Sequence, residues 1–216
     1  LVIVAAMTDP GKGAKGTSLF LVDAHAPGFE KSKKIEKIGQ HTSDTALLFF
    51  TDVRLPANAL LGEANKGFAI LMDELPRERL GIAAQAVAAS EGALDITVEY
   101  VKEREAFGQK VGSFQNTRFK LADVKTDIAI NRAFYEKCTE KYANDDLSSE
   151  EAAMLKLASC EMQCRVADQC LQCFGGYGYT TEYPISRFYV DARIQPIYGG
   201  TSEIMRELVA RSILGR

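Results

Sequence analysis

The sequence predicts an α+β fold: part of an antiparallel β domain over residues 1–64, then an all-α antiparallel helical bundle over residues 65–216. Two observations predict it. Up to about residue 64, short β-branched and aromatic runs alternate with Gly- and Pro-rich loops. From about Gly67 the apolar residues recur at helical spacing. With 216 residues, 46% of them hydrophobic and 25% charged, the chain can bury a core and is globular rather than disordered.

In chain order, "LVIVAAM" and "TSLFLVDA" read as strands, and the loop "TDPGKGAKG" between them signals a hairpin. The lysines of "KSKKIEK" are diluted by Glu36 and preceded by Glu30, with no interleaved aromatic, so they read as a solvated strand face. "TALLFFTDVRL" is a further strand, ended by Pro56. A long helical pattern starts at about Gly67, and Pro76 should end or kink its first turns by removing a donor. A second helix follows "FGQKVGSFQNT", with Leu121, Val124, Ile128 and Phe134 on or near one face. A third begins at a capping box, Ser148 with Glu151, and carries the stripe Leu155, Ala158, Met162 and Val166. It stops at "FGGYGY". A short helix over 184–193 and a closing helix from about 202 complete the chain.

The net charge of −3 argues against general nucleic-acid or polybasic membrane binding, and no apolar run approaches ~18 residues, so no integral membrane segment is expected. "LVIVAAM" lacks the flank and cleavage pattern of a signal peptide, and a start without Met or a polar lead-in is what a fragment or processed chain would show. Five cysteines without a secretion signal suggest reduced thiols. Cys170 and Cys173 form C-x-x-C only nominally. Cys160, Cys164, Cys170 and Cys173 share one helix and cannot together surround an ion, so no metal site is expected.

"QPIYGGTSEIMREL" has the grammar of a tight turn feeding a helix N-terminus, a place suited to an anionic or carbonyl group. Its side chains are nearly bare of catalytic chemistry. "GGYGY" fails as a dinucleotide fingerprint because a helix, not a strand, precedes it; the residues alone favour a helix C-cap.

"RLPANALLGEANKGFAILMDELPRERL" (54–80), "REAFGQKVGSFQ" (104–115) and "QCFGGYGYTTEYPISRFYVDARIQPIYGGTSEIMRELVAR" (172–211) resemble the acyl-CoA dehydrogenase family, in the right order and over essentially the whole chain. The family's N-terminal helical domain and the start of its β domain have no counterpart here. The resemblance implies FAD-dependent α,β-dehydrogenation of an acyl-CoA thioester, with electrons passed to an electron-transfer flavoprotein. A carboxylate takes the α proton, and hydride passes from Cβ to the flavin. A carboxylate cannot do this in water. The site must polarise the thioester carbonyl, exclude water and raise the basicity of the carboxylate.

By the family pattern, FAD contacts fall on Arg104, Phe107 and Gln115, on Gln172, Cys173, Phe174, Gly175 and Gly176, and on Thr201, Ser202 and Glu203. Arg104 and Gln115 reach the FAD of a neighbouring subunit in the family, so a homo-oligomer is implied, commonly a tetramer built as a dimer of dimers. Many members carry the base directly after the Tyr of the turn, where this chain has Gly199. The long-chain and isovaleryl-type members carry it on an earlier helix, and the matching carboxylate is Glu78. Pro76, Arg77, Arg79, Gly199 and Gly200 are the substrate-side positions. On its residues alone, Glu78 between two arginines is an ordinary surface charge, and Glu74 is its nearest competitor. The compartment implied is a bacterial cytoplasm or the mitochondrial matrix. Two alternatives stand beside this one: an acyl-CoA oxidase or related flavin oxidase, and a non-catalytic fragment or scaffold lacking the full flavin pocket.

Overall fold

A computed structural model describes residues 1–215. The chain divides into two compact units, residues 1–37 with 41–75, and residues 38–40 with 76–216. The first is built on a hairpin. Strands β1 (Val2–Met7) and β2 (Thr17–Val22) pair antiparallel, from Val2 opposite Val22 to Met7 opposite Thr17. Their loop folds into a 3₁₀ turn, Pro10–Gly16. Gly16 is required there: a Cβ would stand 1.9 Å from the Asp9 carbonyl oxygen.

Strands β3 (Phe29–Lys31) and β4 (Leu48–Phe50) form a separate antiparallel pair, while β5 (Leu60–Leu61) joins β2 to give the order β1-β2-β5. Two expectations are corrected here. The lysine run leaves the strand after Lys31, and 32–37 is irregular backbone, tied by Ser32 N–H to Leu47 O (2.9 Å) and Ile35 N–H to Thr45 O (2.7 Å). The strand expected over "TALLFFTDVRL" is cut to three residues, because Asp52 takes a left-handed φ of 51° that extended pairing cannot contain.

Helix α1 (Gly67–Glu103) runs on through Pro76, so the helix does not end there. Pro76 has no N–H to donate to the Met72 carbonyl, one ladder position in a helix of 37 residues. A small hairpin, β6 (Glu105–Ala106) and β7 (Gln109–Lys110), follows. Its loop residues Phe107 (φ 52°) and Gly108 (φ 78°) are both left-handed, the pattern of a type I′ turn.

Helices α2 (Gln115–Ala143) and α3 (Ser149–Phe174) follow, then α4 (Ile185–Ala192) and α5 (Ser202–Leu214). The capping box holds: Glu151 N–H donates to Ser148 Oγ at 3.1 Å, and Ser148 N–H to Glu151 Oε2 at 3.2 Å. Helix α3 packs against α2, α4 and α5 and is buried on most of its circumference. Leu155, Met162 and Val166 are buried as expected, but Ala158 is exposed and Ser159 takes the inward place. The main core joins Val87 and Leu94 of α1, Val124 and Ile128 of α2, Met162 and Val166 of α3, and Ile185 of α4. At the end of α3 the cap forms on Gly175 (φ 57°), whose N–H returns to Gln172 O, and "GGYGY" closes as a short 3₁₀ turn. No helix among the described residues is long and apolar enough to cross a membrane.

Candidate active site

The turn before α5 is built by its backbone. Ile194 O accepts the N–H groups of Ile197 (2.9 Å) and Tyr198 (3.2 Å), and Ser202 N–H returns to Pro196 O at 3.0 Å. Between these bonds Gly199 (φ 62°) and Gly200 (φ 97°) carry the reversal. Thr201 caps α5, its hydroxyl oxygen 3.4 Å from the Ile204 nitrogen. Among the described residues, the N–H groups of Gly199, Gly200 and Thr201 donate to no other group of the chain. Three free donors therefore stand at one helix N-terminus. The Glu203 carboxyl is held below the usual carboxylate range by its own backbone N–H and by the Thr201 hydroxyl.

Helix α1 brings Glu78 to this turn. A Cβ placed on Gly199 would stand 3.9 Å from Glu78 Oε1 and 2.4 Å from Ile82 Cδ1. The carboxylate of residue 78 thus reaches the space that a side chain at 199 would enter. Glu78 is exposed on this chain. Pro76 is half-buried and Arg77 exposed. Arg79 goes inward: it is 5% exposed, its Nε has no partner, and burial pulls its pKa down against the opposing field of Glu78.

Around the turn lies a polar shell the sequence reading did not single out. Lys156 of α3 is fully buried and donates from Nζ to Gly200 O at 2.7 Å. Tyr198 donates its hydroxyl to Gln195 Oε1 at 2.8 Å, with Gln85 Oε1 at 3.4 Å, and burial raises its pKa. Gln195 Nε2 and Ser202 Oγ are buried without partners. Nothing local marks Lys156 in the sequence: it sits one position past Leu155 in an amphipathic run, where a lysine ordinarily faces water.

A second group of expected residues gathers at the far end of α3. Arg104, Gln172, Cys173, Phe174, Gly175 and Gly176 line one cavity of about 490 Å³. Arg104 lies over the Tyr177 ring at 5.4 Å, and Phe174 stacks on Tyr100 at 4.1 Å between centroids. A Cβ on Gly175 or Gly176 would meet no protein atom within 4 Å, so bare backbone faces open space there. Phe107 and Gln115 do not line this cavity. Phe107 is 96% exposed at the hairpin tip, and Gln115 is exposed at the start of α2. A larger cavity, about 710 Å³, shares Tyr100 and Phe174 with it but is otherwise lined by unexpected, mainly apolar groups of α1 and α2 and by Tyr183 and Pro184.

Lys156 and Gln172 are sixteen positions apart on α3, which is about 24 Å along the axis at ~1.5 Å per residue. The two groups therefore occupy opposite ends of one helix.

A family model described as the acyl-CoA dehydrogenase C-terminal domain matches residues 65–214. The chain belongs to the acyl-CoA dehydrogenase family. The mitochondrial long-chain specific acyl-CoA dehydrogenase of Sus scrofa is 53% identical over 216 residues, 99% of this chain and 50% of that protein. The short-chain specific acyl-CoA dehydrogenase of Megasphaera elsdenii is 42% identical over 214 residues, 99% of this chain and 56% of that protein. The crystal structure of an acyl-CoA dehydrogenase from Geobacillus kaustophilus matches with a TM-score of 0.96 at 43% identity, over 98% of this chain and 56% of that one. The chain spans about half the length of the curated relatives it matches.

The acyl-CoA dehydrogenase family is generally FAD-dependent. The residues present fit such a group. A guanidinium beside exposed glycine backbone suits a phosphate, the exposed Tyr177 ring offers apolar surface, and the α5 N-terminus offers unpaired N–H donors. Cys173 lines the Arg104 cavity, and its thiol pKa is raised by burial. All five cysteines are free, and burial pushes Cys160 and Cys170 up to about 11.

Proposed function

We propose that this chain is the thioester- and flavin-binding part of an enzyme that converts an acyl-CoA to its trans-2-enoyl-CoA. The observation that carries the reading is the meeting of Glu78 with the vacant position at Gly199, 3.9 Å from carboxylate oxygen to the Cβ site. Glu78 acts as the base that takes the α proton. The free N–H of Gly199 donates to the thioester oxygen as enolate charge develops, a contribution on the order of 3 kcal/mol for one such donor. Arg79, buried beside Glu78, adds positive field to the same charge. When bound, FAD would supply the two-electron sink.

Arg104, Phe107, Gln115 and the 172–176 segment hold the cofactor at one end of the bundle, and Thr201, Ser202 and Glu203 meet it at the other. Two such groups about 24 Å apart along α3 suit one chain serving two flavins, its own and a neighbour's. The reading includes a homotetramer, as the family resemblance implies, with residues 1–64 in its β domain and 65–216 in its helical domain. The long-chain type is favoured by the base at 78, and the higher identity to the long-chain relative, 53% against 42% for the short-chain one, agrees. The reading includes an electron-transfer flavoprotein as acceptor and a bacterial cytoplasm or mitochondrial matrix as location.

The test is Glu78→Gln in the full-length protein. The variant keeps FAD, but acyl-CoA no longer bleaches the flavin under anaerobic conditions. Normal bleaching would remove Glu78 from the role. A dye or electron-transfer flavoprotein compared with oxygen as acceptor separates dehydrogenase from oxidase.

A further inference from the structure

One buried cation at the turn has no part in the chemistry above. Lys156 has no exposed surface and heads the largest fully buried side chains. An ammonium in the interior costs several kcal/mol unless it is well bonded, and an apolar residue of similar volume often serves packing better. The bond it makes is specific. Nζ donates to the Gly200 carbonyl, the acceptor between the left-handed glycine pair and the Thr201 cap. Glu161 and Glu203 act on it only at longer range, Arg79 opposes it, and Cys160 lies nearby on α3. The Gly200 carbonyl shares its peptide unit with the Thr201 N–H, one of the three unpaired donors. A cation bonded to that oxygen polarises the peptide and strengthens the N–H on its other side. It also restrains Gly200, which has no side chain to hold it.

We propose that Lys156 is a positioning residue for the dehydrogenation: its ammonium locks the Gly199–Thr201 turn, so holding the Gly199 N–H in place for the thioester oxygen, and keeps positive charge behind that turn. This rests on the reading of the turn given above. It makes Lys156 act on the rate of the proton and hydride transfer rather than on acyl-CoA affinity.

Stopped-flow flavin reduction by acyl-CoA, on the full-length FAD-loaded protein, tests it. Wild type, Lys156→Met and Lys156→Arg are compared for limiting rate and for apparent substrate affinity. The Met variant is expected to retain FAD, to bind acyl-CoA within about twofold of wild type, and to lose limiting rate by on the order of 10- to 100-fold. The Arg variant recovers most of that loss. In the Met variant the carbonyl stretch of a bound, non-oxidisable thioester analogue also moves back toward its solution frequency. A wild-type rate in the Met variant overturns the proposal, as does an equal loss in Met and Arg with unchanged carbonyl frequency. Should the Met variant not fold, the wild-type pH profile decides. Burial lowers the Lys156 pKa below its ordinary 10.5, so the limiting rate should fall on the alkaline side before 10.5 with affinity kept. A flat profile through 10.5 overturns the proposal. A wild type that acyl-CoA does not reduce at all would instead reject the proposed function, a separate outcome.

Discussion

Gly199 is where the reading of single residues turns. Its bareness in the sequence directs attention to Glu78, and in the structure the two meet. Its φ of 62° and the approach of Ile82 Cδ1 to 2.4 Å from a Cβ give the glycine a structural cost of replacement. Gly199→Ala is expected to lower stability by about 1–2 kcal/mol through the left-handed backbone alone, since the Ile82 tip can rotate aside. Denaturant unfolding of the full-length protein checks the value. Buried Lys156 shows the opposite sign of linkage from a salt-bridged lysine. Its folded pKa is depressed, so the charged form costs stability at neutral pH, and that cost is relieved as pH rises through the folded value.

At the scale of elements, the start of α3 is the best-defined local signal. Ser148 and Glu151 cap it reciprocally, and Lys141 donates to Glu151 Oε1 at 2.6 Å. The Lys141 bond, chiefly, holds the Glu151 carboxyl below its ordinary 4.5, and the same bond holds Lys141 above its ordinary 10.5. The Glu151 contribution is therefore complete above pH 4.5 and is lost as pH falls through the lowered value. The Lys141 contribution is complete below 10.5 and is lost as pH rises through the raised value. Ser148→Ala should cost roughly 1 kcal/mol at neutral pH, read as a lower thermal midpoint, and less in acid where Glu151 protonates. The capping box was legible because it is made by residues three apart in sequence. The β6–β7 hairpin was not, because Phe107 contradicts the usual glycine or asparagine at a left-handed position. Pro76 does not end the helix, because the residues on both sides of it continue the helical pattern.

For the whole molecule, thiol chemistry gives a direct check on the core. Cys138, Cys160 and Cys170 are buried, and burial raises all five thiol pKa values. Native protein treated with iodoacetamide at pH 8 should leave these three unlabelled in mass spectra, while denatured protein labels all five. Rapid native labelling of Cys160 would contradict its place beside Lys156. By itself the sequence determined the two unlike halves, the order of the helices, the α3 cap and, through its motifs, the family. These depend on periodicity, on short-range pairs and on residues contiguous in the chain. Only the tertiary structure decided that Glu78 and Gly199, 121 positions apart, share one spot, that Arg79 and Lys156 face inward, and that the expected cofactor residues divide between the ends of α3. Burial of a charged side chain is set by the elements packed around it. A central helix covered on most sides gives an inward place to a lysine that its own neighbours in sequence would leave in water.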